Sequence, residues 1–158
     1  MGRNITLRPA GEADEEFLCK VYSSTRSDEV AAFGWDEVQR QAFLQMQFTM
    51  RQRAYKMQYP DAEHSIVLLD ETPVGTFIVD RNSNSISLVD IAILPEFRNN
   101  GIATYLIQRL QQEASASGSA VVLHVDKINL PAKKLYHALG FIETGETQFS
   151  YELQWRDK

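Results

Sequence analysis

One stretch of the sequence is built to hold an anion: Asp90-Ile91-Ala92-Ile93-Leu94-Pro95-Glu96-Phe97-Arg98-Asn99-Asn100-Gly101-Ile102-Ala103-Thr104. A buried-looking apolar run leads into a polar, glycine-bearing loop, and the loop opens directly into a helical pattern. The start of a helix presents amide protons with no acceptor in the helix, together with a partial positive charge, which is the setting a diphosphate needs. Gly101 and Ala103 keep side chains out of the way, Arg98 adds a full charge, and the Thr104 hydroxyl can donate one more hydrogen bond. A plain glycine turn into a helix is the competing reading, and one glycine alone does not exclude it. A second constellation lies at Asn129-Leu130-Pro131-Ala132-Lys133-Lys134-Leu135-Tyr136-His137-Ala138-Leu139-Gly140-Phe141. Asn129 stands at a helix start, where its amide can satisfy backbone groups, and Tyr136 follows about two turns later on the same helical face. A tyrosine in an amphipathic helix is otherwise a packing residue.

The first segment fits the pattern Q/R-x-x-G-x-G/A, and "IAILPEFRNNGIA" resembles the acetyl-CoA-binding strand, loop and helix of the GNAT superfamily of N-acetyltransferases. Ala103 stands where glycine is more usual, and the pattern permits alanine. The second segment resembles the family's N-x-x-A-x-x-L-Y-x-x-x-G-F stretch. By position, the resemblance implies that Ile91 and Ile93 offer backbone groups to the pantetheine arm. It also implies that Arg98, Asn99, Asn100, Gly101, Ile102, Ala103 and Thr104 surround the diphosphate, that Asn129 reaches the pantetheine, and that Tyr136 protonates the departing thiolate. The fold it implies is a mixed α/β sheet of the GNAT type, mostly antiparallel, with about seven strands and helices on both faces.

The implied reaction is direct transfer of an acetyl group from a thioester to an amine. It needs a deprotonated amine, stabilisation of the oxyanion and a proton for the thiolate. A backbone amide on the strand with Ile91 and Ile93 could polarise the carbonyl. An unperturbed lysine has a pKa of about 10.4, so the amine must lose a proton to a base. His124 is the first candidate: related ribosomal-protein acetyltransferases carry a catalytic glutamate at the corresponding place, and a histidine with a reference pKa of about 6.5 suits base work. A satisfied histidine within a sheet is the alternative. Asp90 is the second candidate, since a carboxylate in an apolar strand is costly to bury unless it faces a cleft or a cation. A salt bridge or a solvated strand edge would also explain it. His64 and His137 have weaker cases, and the histidines lack metal-ligand spacing, so no metal is expected.

These residues need elements to position them. Ile5 and Leu7 alternate with polar neighbours as in a half-buried strand closed by Pro9. Acidic residues from Glu12 to Glu16 precede a helical stripe at Phe17, Leu18, Val21 and Tyr22, and the pattern breaks into a loop around Ser23 to Gly34. A longer helix begins near Asp36 and ends at Pro60. Ser65–Leu69, Val74–Val79 and Ile86–Leu94 read as consecutive strands of an antiparallel meander. A helix from Ile102 towards Gly118, a covered strand Val121–Val125, a short helix Pro131–Leu139 and two strands, Phe141–Thr144 and Phe149–Trp155, complete the order. No repeat or linker divides the chain, so residues 1–158 are expected to form one domain. Acceptor-binding elements of this family lie in the region up to Pro60. Arg26, Asp28, Glu29, Trp35, Gln45, Gln47 and Phe48 there could line a pocket or form a solvated face.

Composition bounds the partners. With 158 residues, 44% hydrophobic and 23% charged, the chain has the make-up of an ordinary globular domain and not of a disordered or membrane-spanning one. The net charge of -5 disfavours a nucleic-acid clamp, including a toxin-like enzyme acting on aminoacyl-tRNA, and mildly favours a cationic or amine acceptor. Cys19 is the only cysteine and has no thiol to pair with, which fits a reducing compartment. No leader-like apolar stretch opens the chain, and a cytoplasmic location is expected. The expected activity is therefore acetyl-CoA-dependent N-acetyl transfer by a monomer or homodimer, without nucleic acid, membrane or metal. The non-enzymatic alternative is a catalytically silent acyl-CoA-binding sensor or scaffold.

Overall fold

The computed structural model describes residues 4–157. Its strands are β1 (Ile5–Pro9), β2 (Glu63–Leu69), β3 (Thr72–Arg81), β4 (Ser85–Ile93), β5 (Ala120–Asp126), β6 (Ile142–Glu146) and β7 (Ser150–Arg156). The helices are α1 (Glu15–Ala31), α2 (Glu37–Gln58), α3 (Ile102–Ser117) and α4 (Leu130–Ala138). The strands form one seven-stranded sheet in the order β1-β2-β3-β4-β5-β7-β6. Pairing is antiparallel at β1–β2, β5–β7 and β6–β7, and parallel at β4–β5, where α3 supplies the crossover. Among the described residues no helix is long and apolar enough to cross a membrane.

The described residues fall into two compact units, 4–77 with Ile91–Arg98, and Ile78–Asp90 with 99–157. In the first, α1 and α2 accompany β1 and β2. Asp36 opens α2 with a capping box: its carboxylate accepts from the Gln39 amide at 2.8 Å, and the Gln39 side chain accepts from the Asp36 amide at 3.2 Å. The loop expected from Ser23 to Gly34 is instead helix as far as Ala31. Its polar run is compatible with a helix because the hydroxyls bond back onto the helix itself, Ser24 to the Val21 carbonyl and Thr25 to the Tyr22 carbonyl, each at 2.6 Å. Arg26 adds pairs to Tyr22 and Glu29 one turn away, and Val30 is 1% exposed. Only then does Gly34, at φ 71, turn the chain towards α2.

In the second unit, Ile102, Leu106, Ile107, Leu110 and Ala114 form the buried stripe of α3 that the helical spacing predicts. Gly118 ends the helix in the left-handed conformation at φ 70. The β4–β5 ladder spans Ser85–Leu88 against Ala120–Leu123, while β4 runs on to Ile93 and β5 to Asp126. Beyond Leu123, β5 continues its pairing with β7 through Asp126.

Candidate active site

The turn after β4 is built from short backbone bonds. The Leu94 amide donates to the Val74 carbonyl at 2.8 Å, and the amides of Phe97 and Arg98 close a tight turn onto Leu94 and Pro95. Asn99 and Gly101 then take positive φ values of 64° and 76°. A loop that visits the left-handed region turns successive amides towards a common side, which suits an anion. Gly101 is the N-cap of α3 and, being glycine, brings no capping side chain of its own. The amides of Ile102, Ala103 and Thr104 lie in the first turn and have no acceptor in their own helix. A Cβ on Gly101 would meet nothing within 4 Å, so glycine is required there by its conformation and not by crowding. Arg98 departs from the simple picture of a charge aimed at the loop: its Nε donates to the Ile93 carbonyl at 2.9 Å. The guanidinium thus ties the end of β4 to the loop that follows.

Asn129 caps α4, its side-chain oxygen accepting from the Ala132 amide at 3.3 Å. Tyr136 is 8% exposed, and its ring packs against Phe141 with centroids 5.8 Å apart. Burial first, and the negative charge of Asp90 second, push the phenol from 10.0 up to about 12. The structure thus places the runner-up carboxylate within electrostatic reach of the tyrosine. His124 lies on β5 opposite Glu152 of β7, with Nε2 3.8 Å from a carboxylate oxygen and its side chain about half exposed (52%). That carboxylate also accepts from the Thr144 hydroxyl at 2.8 Å. His124 is therefore not a histidine sealed within the sheet.

The Tyr136 shift has a consequence for stability. In the unfolded chain the phenol ionises near 10.0, and in the folded chain it holds its proton to about 12. Above pH 10 the unfolded state binds fewer protons, so the stabilisation that is complete below pH 10 is lost as pH rises through this window. The loss is on the order of 2–3 kcal/mol. Urea unfolding at pH 9 and pH 12 is expected to show the extra loss in wild type but not in Tyr136→Phe; equal losses would contradict it.

Among the residues considered for the acceptor, Trp35 packs in an aromatic cluster with Phe33 and Phe43, centroids 4.9 Å and 5.2 Å away. Arg26 donates to the Tyr22 hydroxyl at 2.7 Å, and Arg51 lies over the rings of Tyr22 and Tyr55. Gln45 accepts from the Cys19 thiol at 3.3 Å, and burial pushes that thiol up, which keeps it protonated. Sequence reasoning passed over two residues near the machinery. Gly75 of β3 packs directly on Ala92 and Ile93, and Gln111, on the buried face of α3, donates to the Leu139 carbonyl at the end of α4 at 2.8 Å. A polar residue within an apolar helical stripe was the available signal for Gln111. For Gly75 there was only a glycine in a strand.

With this mixed sheet, a glycine-led helix start after β4 and a buried tyrosine on α4, residues 22–141 match the model of the acetyltransferase (GNAT) family. The chain belongs to that family. It is 36% identical over 105 residues to mouse (Mus musculus) cysteine-rich protein 2-binding protein, covering 65% of this chain and 12% of that protein. To the N-acetylaspartate synthetase of Danio rerio it is 37% identical over 68 residues, 42% of this chain and 24% of the other. The chain thus spans only a small part of these curated relatives. The fold matches the PaiA N-acetyltransferase of Thermoplasma acidophilum, solved with coenzyme A, at a TM-score of 0.70 and 16% identity, covering 98% and 99% of the two chains.

Proposed function

We propose that the chain is an acetyl-CoA-dependent N-acetyltransferase, acting as one domain over residues 1–158, that moves an acetyl group to a primary amine of a small molecule or a peptide by direct attack in a ternary complex. The observation that carries the reading is the helix start at Gly101, a left-handed N-cap without a side chain at the end of the loop that follows β4. A buried tyrosine kept protonated on α4 supports it. The coenzyme A in the PaiA structure and the name of the Danio rerio relative, N-acetylaspartate synthetase, point the same way.

In this reading the amides of Asn99 to Thr104 take the diphosphate, Arg98 braces the loop through the Ile93 carbonyl, and the backbone at Ile91 and Ile93 aligns the pantetheine. Asn129 contributes at the start of α4. The amine attacks the thioester carbonyl, a strand amide steadies the oxyanion, and the C–S bond breaks. Tyr136 meets the sulfur. A phenol near 12 is a weaker acid than a thiol of about 8.5, so it gives the departing thiolate a strong hydrogen bond rather than a completed proton transfer to a relaxed thiolate. Asp90 is favoured for the amine's proton by its field at Tyr136. His124 is supported by its exposure and by Glu152, which would steady it. A pH–rate profile separates them: His124→Ala lowers the rate and alters the profile if histidine is the base, and Asp90→Asn does so if the carboxylate is. Cys19, protonated and bonded to Gln45, has no part, in keeping with direct transfer.

Binding is tested by melting curves. Acetyl-CoA at about one hundred times its Kd is expected to stabilise by about 2.7 kcal/mol and raise the Tm by roughly 5–10 °C, with a smaller shift for adenine nucleotides that lack the pantetheine arm. An unmoved curve at saturating acetyl-CoA would remove the cofactor assignment.

A further inference from the structure

We propose that Gly75 is a positioning residue for the acetyl-CoA-binding strand, because the bare backbone of β3 at that point fixes where the backbone of β4 lies at Ala92 and Ile93. The inference rests on the proposed function. In a regular ladder a Cβ stands out of the sheet while the neighbouring strand's carbonyls lie along it, so the two do not meet. Here a Cβ built on Gly75 would overlap the Ala92 carbonyl oxygen, and it would stand 2.8 Å from Ile93 Cδ1 and 3.2 Å from Ile93 Cα. The Ala92 carbonyl therefore leans over the Gly75 Cα and out of the regular ladder direction. One step further along, the Leu94 amide donates to the Val74 carbonyl at 2.8 Å and pins the two strands together.

A side chain at position 75 must displace one strand, and burial decides which. On β3, Val74 is 0% exposed, Thr76 7% and Phe77 4%, so that strand is held by packing on both sides of Gly75. On β4, Ile93 (8% exposed) and Leu94 (3%) are buried as well, but Ile91 and Ala92 are only half-buried. The displacement therefore falls on β4 at Ala92, whose carbonyl meets the new side chain, and at Ile91 before it, on the strand whose backbone aligns the pantetheine. Shifts of that size at a positioning backbone have large effects on binding geometry.

The test is direct titration with acetyl-CoA, together with steady-state kinetics using the amine that the enzyme accepts. Gly75→Ala is expected to raise the Kd and KM for acetyl-CoA by about tenfold, leaving the amine KM at saturating acetyl-CoA within about twofold. A residue with a merely structural role would lower the Tm and leave this split absent. An unchanged acetyl-CoA Kd in a folded Gly75→Ala protein overturns the inference. The double variant Gly75→Ala/Ile93→Val removes the side-chain part of the clash and keeps the carbonyl part. It is expected to remain weak, and restored affinity would overturn the backbone account. If Gly75→Ala does not fold, Val74→Ala, which loosens the packing that holds β3 beside Gly75, is expected to raise the acetyl-CoA KM by about threefold with the amine KM unchanged, and an unchanged acetyl-CoA KM would overturn the inference. Failure of wild type to bind acetyl-CoA is a different outcome, and defeats the function itself.

Discussion

Tyr136→Phe is expected to lower kcat by roughly 10²–10³-fold with the acetyl-CoA Kd nearly unchanged. The substitution removes one oxygen and keeps the ring that packs on Phe141 at 5.8 Å, so the helix and its burial survive. What is lost is a hydrogen bond that matters only as negative charge grows on sulfur, and an interaction made only in the transition state appears in kcat and not in binding. The phenol holds its proton to about 12, so the wild-type rate should show no alkaline fall attributable to Tyr136 below pH 10. Steady-state kinetics with a saturating amine, paired with acetyl-CoA titration, separate the two quantities. An unchanged kcat would take the tyrosine out of the mechanism.

The second large effect is expected from Thr104→Glu. Thr104 occupies the first turn of α3, where a carboxylate is favourable to the helix, because it faces amides without acceptors and the positive end of the dipole. The same carboxylate repels a diphosphate from those amides. The variant is therefore expected to melt no lower than wild type while losing about 10²-fold or more in acetyl-CoA affinity. Thr104→Val, which removes only a donor, should lose several-fold, in line with about 1 kcal/mol for one hydrogen bond. Retained affinity in the glutamate variant would place the diphosphate elsewhere.

The parts of this molecule that were legible in its sequence are those fixed by neighbours along the chain. The stripe of α3, the start of α2 near Asp36 and the end of α3 at Gly118 depend on residues a few positions apart, and all appear where their spacing predicts. Ser23 to Ala31 misled because serine and threonine compete with helical structure in general, whereas here their hydroxyls bond the carbonyl one turn back and Val30 buries the end. The details of the site were hidden for a different reason: they join distant residues. Arg98 meets the Ile93 carbonyl, Gly75 meets Ala92, and Asp90 acts on Tyr136 from another element. The family resemblance singled out Tyr136 and residue type singled out Asp90, but only the fold relates them.

Acetyl transfer to an amine is read out by coenzyme A thiol release from acetyl-CoA across a panel of small primary amines, free amino acids, lysine peptides and peptides with free N-termini. Release should depend on the amine in at least one class, with the acetylated amine appearing in equal amount and the rate falling in Tyr136→Phe. Acetyl-CoA binding without amine-dependent release in any class would contradict the transferase and leave a silent acyl-CoA-binding module in its place.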